Sequence, residues 1–254
     1  MIVILSPAKK IEKKILNFDI NESKPMYMEE AKVINDRLKE FNPDEIASLM
    51  KIGDKLRDET FLNIHRWSTE FNNTFPCVLG FNGEAFRGLD IESYDRDDLE
   101  YANNNLRILS GLYGVLRPLD LIHNYRLEMG TKLKIEDSSN LYCFWDNKIN
   151  NALMIDIKKS ASDILVNLAS NEYSKSAKLK NMDKIKVITP VFKELKNGKY
   201  KVVTVHAKRA RGLMATYIMK NKVNDIETLK KFNEEGYKYR EDLSNNSEIV
   251  FILE

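Results

Sequence analysis

The segment Ile185-Lys-Val-Ile-Thr-Pro-Val-Phe-Lys-Glu194, with Lys196-Asn-Gly-Lys199 and Tyr200-Lys-Val-Val-Thr-Val-His206 after it, decides how the chain is read. Two runs rich in β-branched and aromatic residues flank an Asn-Gly pair, the signature of a two-residue hairpin turn, so the segment reads as two antiparallel strands. Outward from it, Asp163–Ala169 is a strand, Ala207–Asn221 a helix, Asp225–Glu235 a last helix ended by Gly236, and Glu248–Leu253 a final strand. Near the start, Ile2–Leu5 is an apolar run closed by Ser6-Pro7, a buried strand opening into a loop that carries Lys9 and Lys10. Between these ends, Ala31, Ile34, Leu38 and Phe41 fall at helical spacing within Met28–Phe41, and Asn42-Pro43-Asp44-Glu45 caps another helix. Asp54–Phe71 continues in the same style, and Phe75–Phe81 reads as a strand closing at Asn82-Gly83. Leu141, Phe144, Trp145, Ile149, Leu153 and Ile157 mark one amphipathic helix over Leu141–Lys159, which assigns Trp145 to packing. Strands and helices alternate while at least one hairpin intrudes. The expected fold is therefore α/β (α+β), a mixed β-sheet flanked by helices, in one domain over residues 1–254 with no linker or repeat.

A chain of 254 residues with 43% hydrophobic and 31% charged side chains is long and apolar enough to bury a core, which excludes wholesale disorder. No apolar run approaches the roughly 20 residues a bilayer requires, and Met1–Leu5 passes at once into Ser-Pro-Ala-Lys-Lys, so neither a membrane span nor a signal peptide is expected. Cys77 and Cys143 sit in apolar sequence with no Cys-x-x-Cys, which points to a reducing cytoplasm without disulfides or structural zinc. Common nucleotide and hydrolase signatures are absent, and His65, His123 and His206 are isolated. No metal and no cofactor are expected.

Charge is unevenly distributed. Lys175 to Lys222 holds fourteen Lys or Arg against Asp183 and Glu194, an excess of +12 in a chain whose formal net charge is +2. Glu84 to Glu100 is the reverse, with Glu84, Asp90, Glu92, Asp95, Asp97, Asp98 and Glu100 against Arg87 and Arg96. A polyanion partner for the basic segment follows from this asymmetry, and a solvated lysine face is the alternative.

The densest chemistry lies in Leu106-Arg-Ile-Leu-Ser-Gly-Leu-Tyr-Gly-Val-Leu-Arg-Pro-Leu-Asp-Leu-Ile122 and Asn124-Tyr-Arg-Leu-Glu-Met-Gly130. Gly111 and Gly114 bracket Leu112-Tyr113, and without Cβ atoms they would let backbone N–H groups approach an anion. That resembles the turn of a helix-hairpin-helix motif gripping a phosphate; taken alone, the pattern better suits a tight turn in which Arg117 pairs with Asp120 or Glu128. Arg107, Arg117 and Arg126 carry guanidinium forks that bind carboxylate or phosphate bidentately, as an anion pocket or as internal ion pairs. In Asn167-Leu-Ala-Ser-Asn-Glu-Tyr173 a strand passes into a helix that Ser170 or Asn171 would cap, with Asn167 and Glu172 toward the sheet edge, or with Tyr173 simply in the core. Ala207-Lys-Arg-Ala-Arg-Gly-Leu-Met-Ala-Thr-Tyr-Ile218 places Lys208, Arg209 and Arg211 around a helix's first turn, where cations oppose the macrodipole unless an anion is bound.

Ser6-Pro-Ala-Lys9, Leu106 to Asp120, Tyr125-Arg-Leu-Glu-Met-Gly130, Asn167 to Tyr173 and Ala207 to Met214 together resemble the YaaA family of bacterial peroxide-stress proteins, as do Phe232-Asn-Glu-Glu-Gly-Tyr237 and Val250-Phe251. The resemblance covers nearly the whole chain. It departs at Lys10, where the family usually has Thr, and at Gly83-Glu-Ala-Phe86, where it often has Gly-Asp-Val-Tyr. It implies a cytoplasmic protein of the hydrogen peroxide response, tied to iron homeostasis and to limiting oxidative DNA damage, with DNA-binding activity, a basic cleft and a helix-hairpin-helix element. The DNA contacts expected on that basis are Lys9, Ser110, Gly111, Tyr113, Gly114, Arg117, Lys208, Arg209 and Arg211, reading duplex or branched DNA by its backbone. The alternative is an enzyme acting on a nucleotide or nucleobase in a pocket of Arg107, Asp120, Arg126, Glu128, Asn167, Ser170, Glu172 and Tyr173, with Glu128 or Glu172 as general acid or base. Direct iron coordination is a third, weaker reading, since no His or Cys cluster is evident.

Overall fold

A continuous apolar run such as Ile2–Leu5 needs partners on both sides, and in the computed structural model, which describes Met1–Glu254, it has them. The main sheet has eight strands: β1 (Ile2–Leu5), β2 (Leu106–Ser110), β3 (Gly114–Leu116), β4 (Ile164–Leu168), β5 (Lys186–Lys196), β6 (Lys199–Lys201), β7 (Lys238–Tyr239) and β8 (Glu248–Leu253). Its order is β7-β8-β5-β4-β1-β2-β3, with β6 paired to β5. β2, β1, β4, β5 and β8 are mutually parallel, whereas β3, β6 and β7 are antiparallel additions. The mixed α/β sheet expected from the sequence is thus the one observed. Helix Lys148–Lys159 packs against β1 and β3, and helix Thr204–Lys220 against β4 and β5.

Pro190 shapes the sheet. The Thr189 N–H donates to Ser247 O on the β8 side, so the next residue faces β4, and proline has no N–H to offer there. Pairing of β5 with β4 accordingly stops at Ile188 opposite Val166, and β5 runs on to Lys196 with β8 and β6 as its partners. The turn Lys196-Asn-Gly-Lys199 forms as expected, with Asn197 and Gly198 both at positive φ (52° and 72°).

Several boundaries differ from the sequence reading. The Ser110–Gly114 stretch is a turn between antiparallel β2 and β3, not between two helices, and every residue in it is buried. Gly111 is required because a Cβ would come within 2.5 Å of Leu127 O, and Gly114 because it stands at φ 70° with the Trp145 ring over it. Leu141–Lys159 is two helices, Leu141–Trp145 and Lys148–Lys159, broken at Asp146, whose φ is 38°. Phe75–Phe81 holds only Phe75–Pro76 as strand before a helical turn at Cys77–Gly80. The helix at Asp54 stops at Arg66, and the last helix shrinks to Ile226–Leu229 plus a 3-10 turn at Glu234–Gly236. The strand expected to reach His206 ends at Lys201, because Thr204 already begins the long helix. Lys208, Arg209 and Arg211 therefore lie beyond its first turn, where the macrodipole is weaker. Asn42 caps helix Pro43–Met50 as expected, with Glu45 completing a capping box, and that helix turns through Lys51-Ile52-Gly53 into helix Asp54–Arg66.

Helices Glu84–Leu89 and Thr204–Lys220 cross with backbones in direct contact. A Cβ on Gly88 would meet Arg209 O at 2.2 Å, and one on Gly212 would meet Ala85 O at 1.9 Å. Gly212→Ala should therefore destabilise the fold by about 1 to 3 kcal/mol through overpacking that only a backbone shift relieves. Urea unfolding checks this, and a change below about 0.5 kcal/mol, the range of an inert surface substitution, would mean the helices can part freely.

Candidate anion-binding cleft

Leaving β1, the chain pairs next with β2 on one side and later with β4 on the other, so the carboxyl ends of β1 and β4 form a switch point, where open α/β sheets bind ligands. A cleft of about 710 Å³ opens there. Its floor is tied together by Ser6 and Ser170, which follow the two strands. The Ser170 N–H donates to Ser6 Oγ at 2.8 Å, and the Ser6 hydroxyl donates to Ser170 Oγ at 3.2 Å.

One wall comes from the loop after β1 and from Glu128–Gly130. Lys9 Nζ lies 3.0 Å from Glu128 Oε2, whose side chain is 28% exposed. Glu172 accepts the Gly130 N–H at 2.8 Å, and a Cβ on Gly130 would press within 3.0 Å of the same carboxylate oxygen. Tyr173 is buried at the cleft surface, and burial beside Glu128 pushes its phenol well above the usual range. Arg126 reaches only the Lys9 carbonyl, at 3.5 Å. Asn167 is buried beneath, donating to Thr189 Oγ1 and accepting the Ala169 N–H.

The facing wall is built by the glycine crossing. Asn82, Glu84 and Phe86 line it from one side, and Thr204, Ala207, Lys208 and Arg211 from a single face of the long helix. Glu84 is paired with Arg87 and Lys10 with Glu12. Arg211 is different: half-buried, it has neither a carboxylate nor a hydrogen-bond partner, and burial alone pulls its guanidinium below the ordinary arginine value. Lys208 beside it is exposed and equally unpaired.

Of the DNA-contact and pocket residues expected from the sequence, Lys9, Glu128, Ser170, Glu172, Tyr173, Lys208 and Arg211 meet here. The others do not. Ser110 accepts the Leu112 and Tyr113 N–H groups and bonds Tyr125, while the Tyr113 hydroxyl accepts from Trp67 Nε1 and the His123 N–H. With Gly111 and Gly114 they are interior structure, out of reach of a polymer. Arg107 is buried against Asp156 at 2.6 Å and donates to the carbonyls of Asn103 and Leu106. Arg117 holds Asp120, whose carboxyl is raised by burial in spite of the Ser23 hydroxyl and the Arg117 donors. Both arginines border a separate depression that shares no residue with the cleft. Arg209 is occupied by a bidentate pair with Glu235. Sequence reasoning missed Asn82 and Thr204; the only trace was Asn82-Gly83 closing a predicted strand. No three His, Cys, Asp or Glu side chains converge as metal ligands, Cys77 is buried and Cys143 exposed, and no helix is long and apolar enough to cross a membrane.

The arrangement defines a mixed α/β protein with a cation-bearing cleft at its switch point. Residues 1–243 match the family described as peroxide stress protein YaaA, and the chain belongs to that family. It is 48% identical to a UPF0246 protein of Clostridium botulinum (strain Eklund 17B / Type B) over the whole of both chains. It is 50% identical to a UPF0246 protein of Clostridium perfringens (strain ATCC 13124) over 99% of each chain, and 45% identical to one of Saccharophagus degradans over 99% of this chain and 98% of the relative.

The contrast between the arginines is measurable. Asp156→Ala strands a buried guanidinium and should lower stability by about 3 to 5 kcal/mol. Arg211→Met, which removes a desolvated charge that has no partner, should change stability by less than about 1 kcal/mol or raise it. Parallel urea titrations decide, and equal losses would mean that Arg211 is held by an internal anion.

Proposed function

We infer that this peroxide-stress protein binds DNA through its phosphate backbone, in keeping with a role in limiting oxidative damage and free iron. One observation carries the reading: among the lysines and arginines from Lys175 to Lys222, only Lys178 and Arg209 have a carboxylate partner. Surface charge that serves the fold is normally laced with the opposite sign, and charge left unpaired on one segment suits a polyanion. Lys196, Lys199 and Lys201 stand exposed on the β5–β6 hairpin, and the hairpin leads through Val202 and Thr204 on the rim of the cleft to Lys208. Phosphates tracking along this hairpin would reach the cleft mouth.

On this reading a helix-hairpin-helix grip lies at Lys51-Ile52-Gly53 rather than at Gly111 and Gly114. There two packed helices meet, no side chain caps the second, and Lys51 and Lys55 are exposed without acidic partners. No element of base-reading type enters the reading, so duplexes of different sequence should bind alike.

Affinity for a duplex should fall steeply with salt, by a slope of about 0.9 for each neutralised phosphate. Lys196→Glu, Lys199→Glu and Lys201→Glu combined should flatten that slope by about two to three units for all sequences alike. Anisotropy titrations from low to physiological salt test this, and a flat salt response of the unaltered protein would overturn the backbone reading.

A further inference from the structure

Resting on the reading of the cleft cations as a phosphate site, we propose that the cleft holds a single unpaired nucleotide, its phosphate on Arg211 and Lys208 and its base edge among Asn82, Asn171 and Glu172. The shared ligand chemistry is a nucleoside monophosphate unit, free in solution or extruded from a DNA strand.

Shape comes first. A volume near 710 Å³ lies within the range of small-ligand clefts, whereas a duplex presents its phosphates on a convex surface and closes its bases to any pocket. Proteins that take a base into such a pocket draw the nucleotide out of the stack. The exposed hairpin lysines suffice for an intact backbone. Arg211 is instead half-buried in the cleft wall, where a phosphate drawn away from the duplex surface would meet it.

Charge gives an independent argument. Of the four cations that line the cleft, Lys9 and Lys10 are held by Glu128 and Glu12, which leaves Arg211 and Lys208 free, and two free cations beside Glu172 suit one phosphate better than a run of them. A mononucleotide presents one phosphate and, on its base, N–H donors that a carboxylate or an amide carbonyl accepts. Glu172 uses one oxygen on the Gly130 N–H and keeps the other. The Asn82 side-chain amide donates to Glu12, leaving its carbonyl oxygen as an acceptor, and the exposed Asn171 amide offers both donor and acceptor. A guanidinium deprived of water and left without a carboxylate is what an incoming phosphate would satisfy.

The experiment uses the full chain with duplexes carrying 2-aminopurine either fully paired or in a one-nucleotide bulge, and in parallel the four deoxynucleoside monophosphates, the matching nucleosides and inorganic phosphate. Bulged DNA should bind at least about tenfold more tightly than paired DNA, with a rise in 2-aminopurine emission as the base unstacks, and Arg211→Gln should bring the affinity ratio close to one. Lys208→Gln, at an exposed position, should lower the ratio in the same direction and guards against a folding defect in the first variant. Monophosphates that bind and are lost with Arg211→Gln, while bulged and paired DNA bind equally, would assign the site to free nucleotides. Inorganic phosphate binding as tightly as the monophosphates would overturn the nucleotide, since the base would then contribute nothing. Steep salt-dependent duplex binding with no preference for the bulge and no monophosphate binding would overturn the cleft proposal while leaving the backbone reading intact. Monophosphate binding without any duplex binding would do the opposite.

Discussion

The contact of Gly88 with the Arg209–Leu213 backbone, mirrored by Gly212 against Ala85, is the constraint on which the rest of this molecule depends. It presses the acidic stretch that starts at Glu84 onto the most basic helix in the chain. Arg209 feels Glu84 and Asp90 there while its fork is held by Glu235, and Lys220 at the far end of the helix donates to the Ser93 carbonyl. The two oppositely charged segments of the sequence are thus apposed along one face of the helix. On another face Lys208 and Arg211 escape neutralisation and line the cleft, since Glu84 is already paired with Arg87. A larger residue at either glycine would separate the walls of the cleft as well as weaken the core.

The second constraint is Pro190. By ending the β4 ladder at Ile188 it lets β5 run past that neighbour and carry the β6 hairpin beyond the end of β4, while Asn167 bridges the parting strands through Thr189. A cleft at a switch point arises because consecutive crossovers leave in opposite directions. Here the missing N–H extends one rim of that cleft into a lysine-bearing arm. Backbone chemistry at one residue and side-chain charge a few residues later act on the same surface.

Sequence patterning made the sheet legible because its strands are short apolar runs between turn residues, and Asn197-Gly198 left little choice of connection. The breaks at Asp146 and at Thr204 were not legible, since both lie inside stretches whose apolar spacing continues across them. For Asp146 the deciding term is tertiary: Trp145 must insert over Gly114 and donate its Nε1–H to Gly111 O, which no helical period encodes. The cleft itself was half legible. Ser6 to Lys9, Glu128 to Gly130, Ser170 to Tyr173 and Ala207 to Arg211 were each conspicuous, and they converge. Leu106 to Asp120 was the most conspicuous of all and serves the interior, because a glycine that admits an anion and a glycine that admits a carbonyl or an indole look identical in sequence.

The same ambiguity attends arginine, and the structure resolves it by pairing. Arg107 has Asp156, Arg117 has Asp120 and Arg209 has Glu235, so these guanidinium groups are satisfied before any ligand arrives. Each would have to abandon a carboxylate to accept a phosphate, a loss that binding must first recover. Arg211 has no such debt. Its desolvation is present in the free protein and uncompensated, so a phosphate placed beside it gains the full charge-assisted bond and relieves an existing penalty at once. That asymmetry sets Arg211 apart from the other three arginines, although in sequence it is one of three basic residues within four positions.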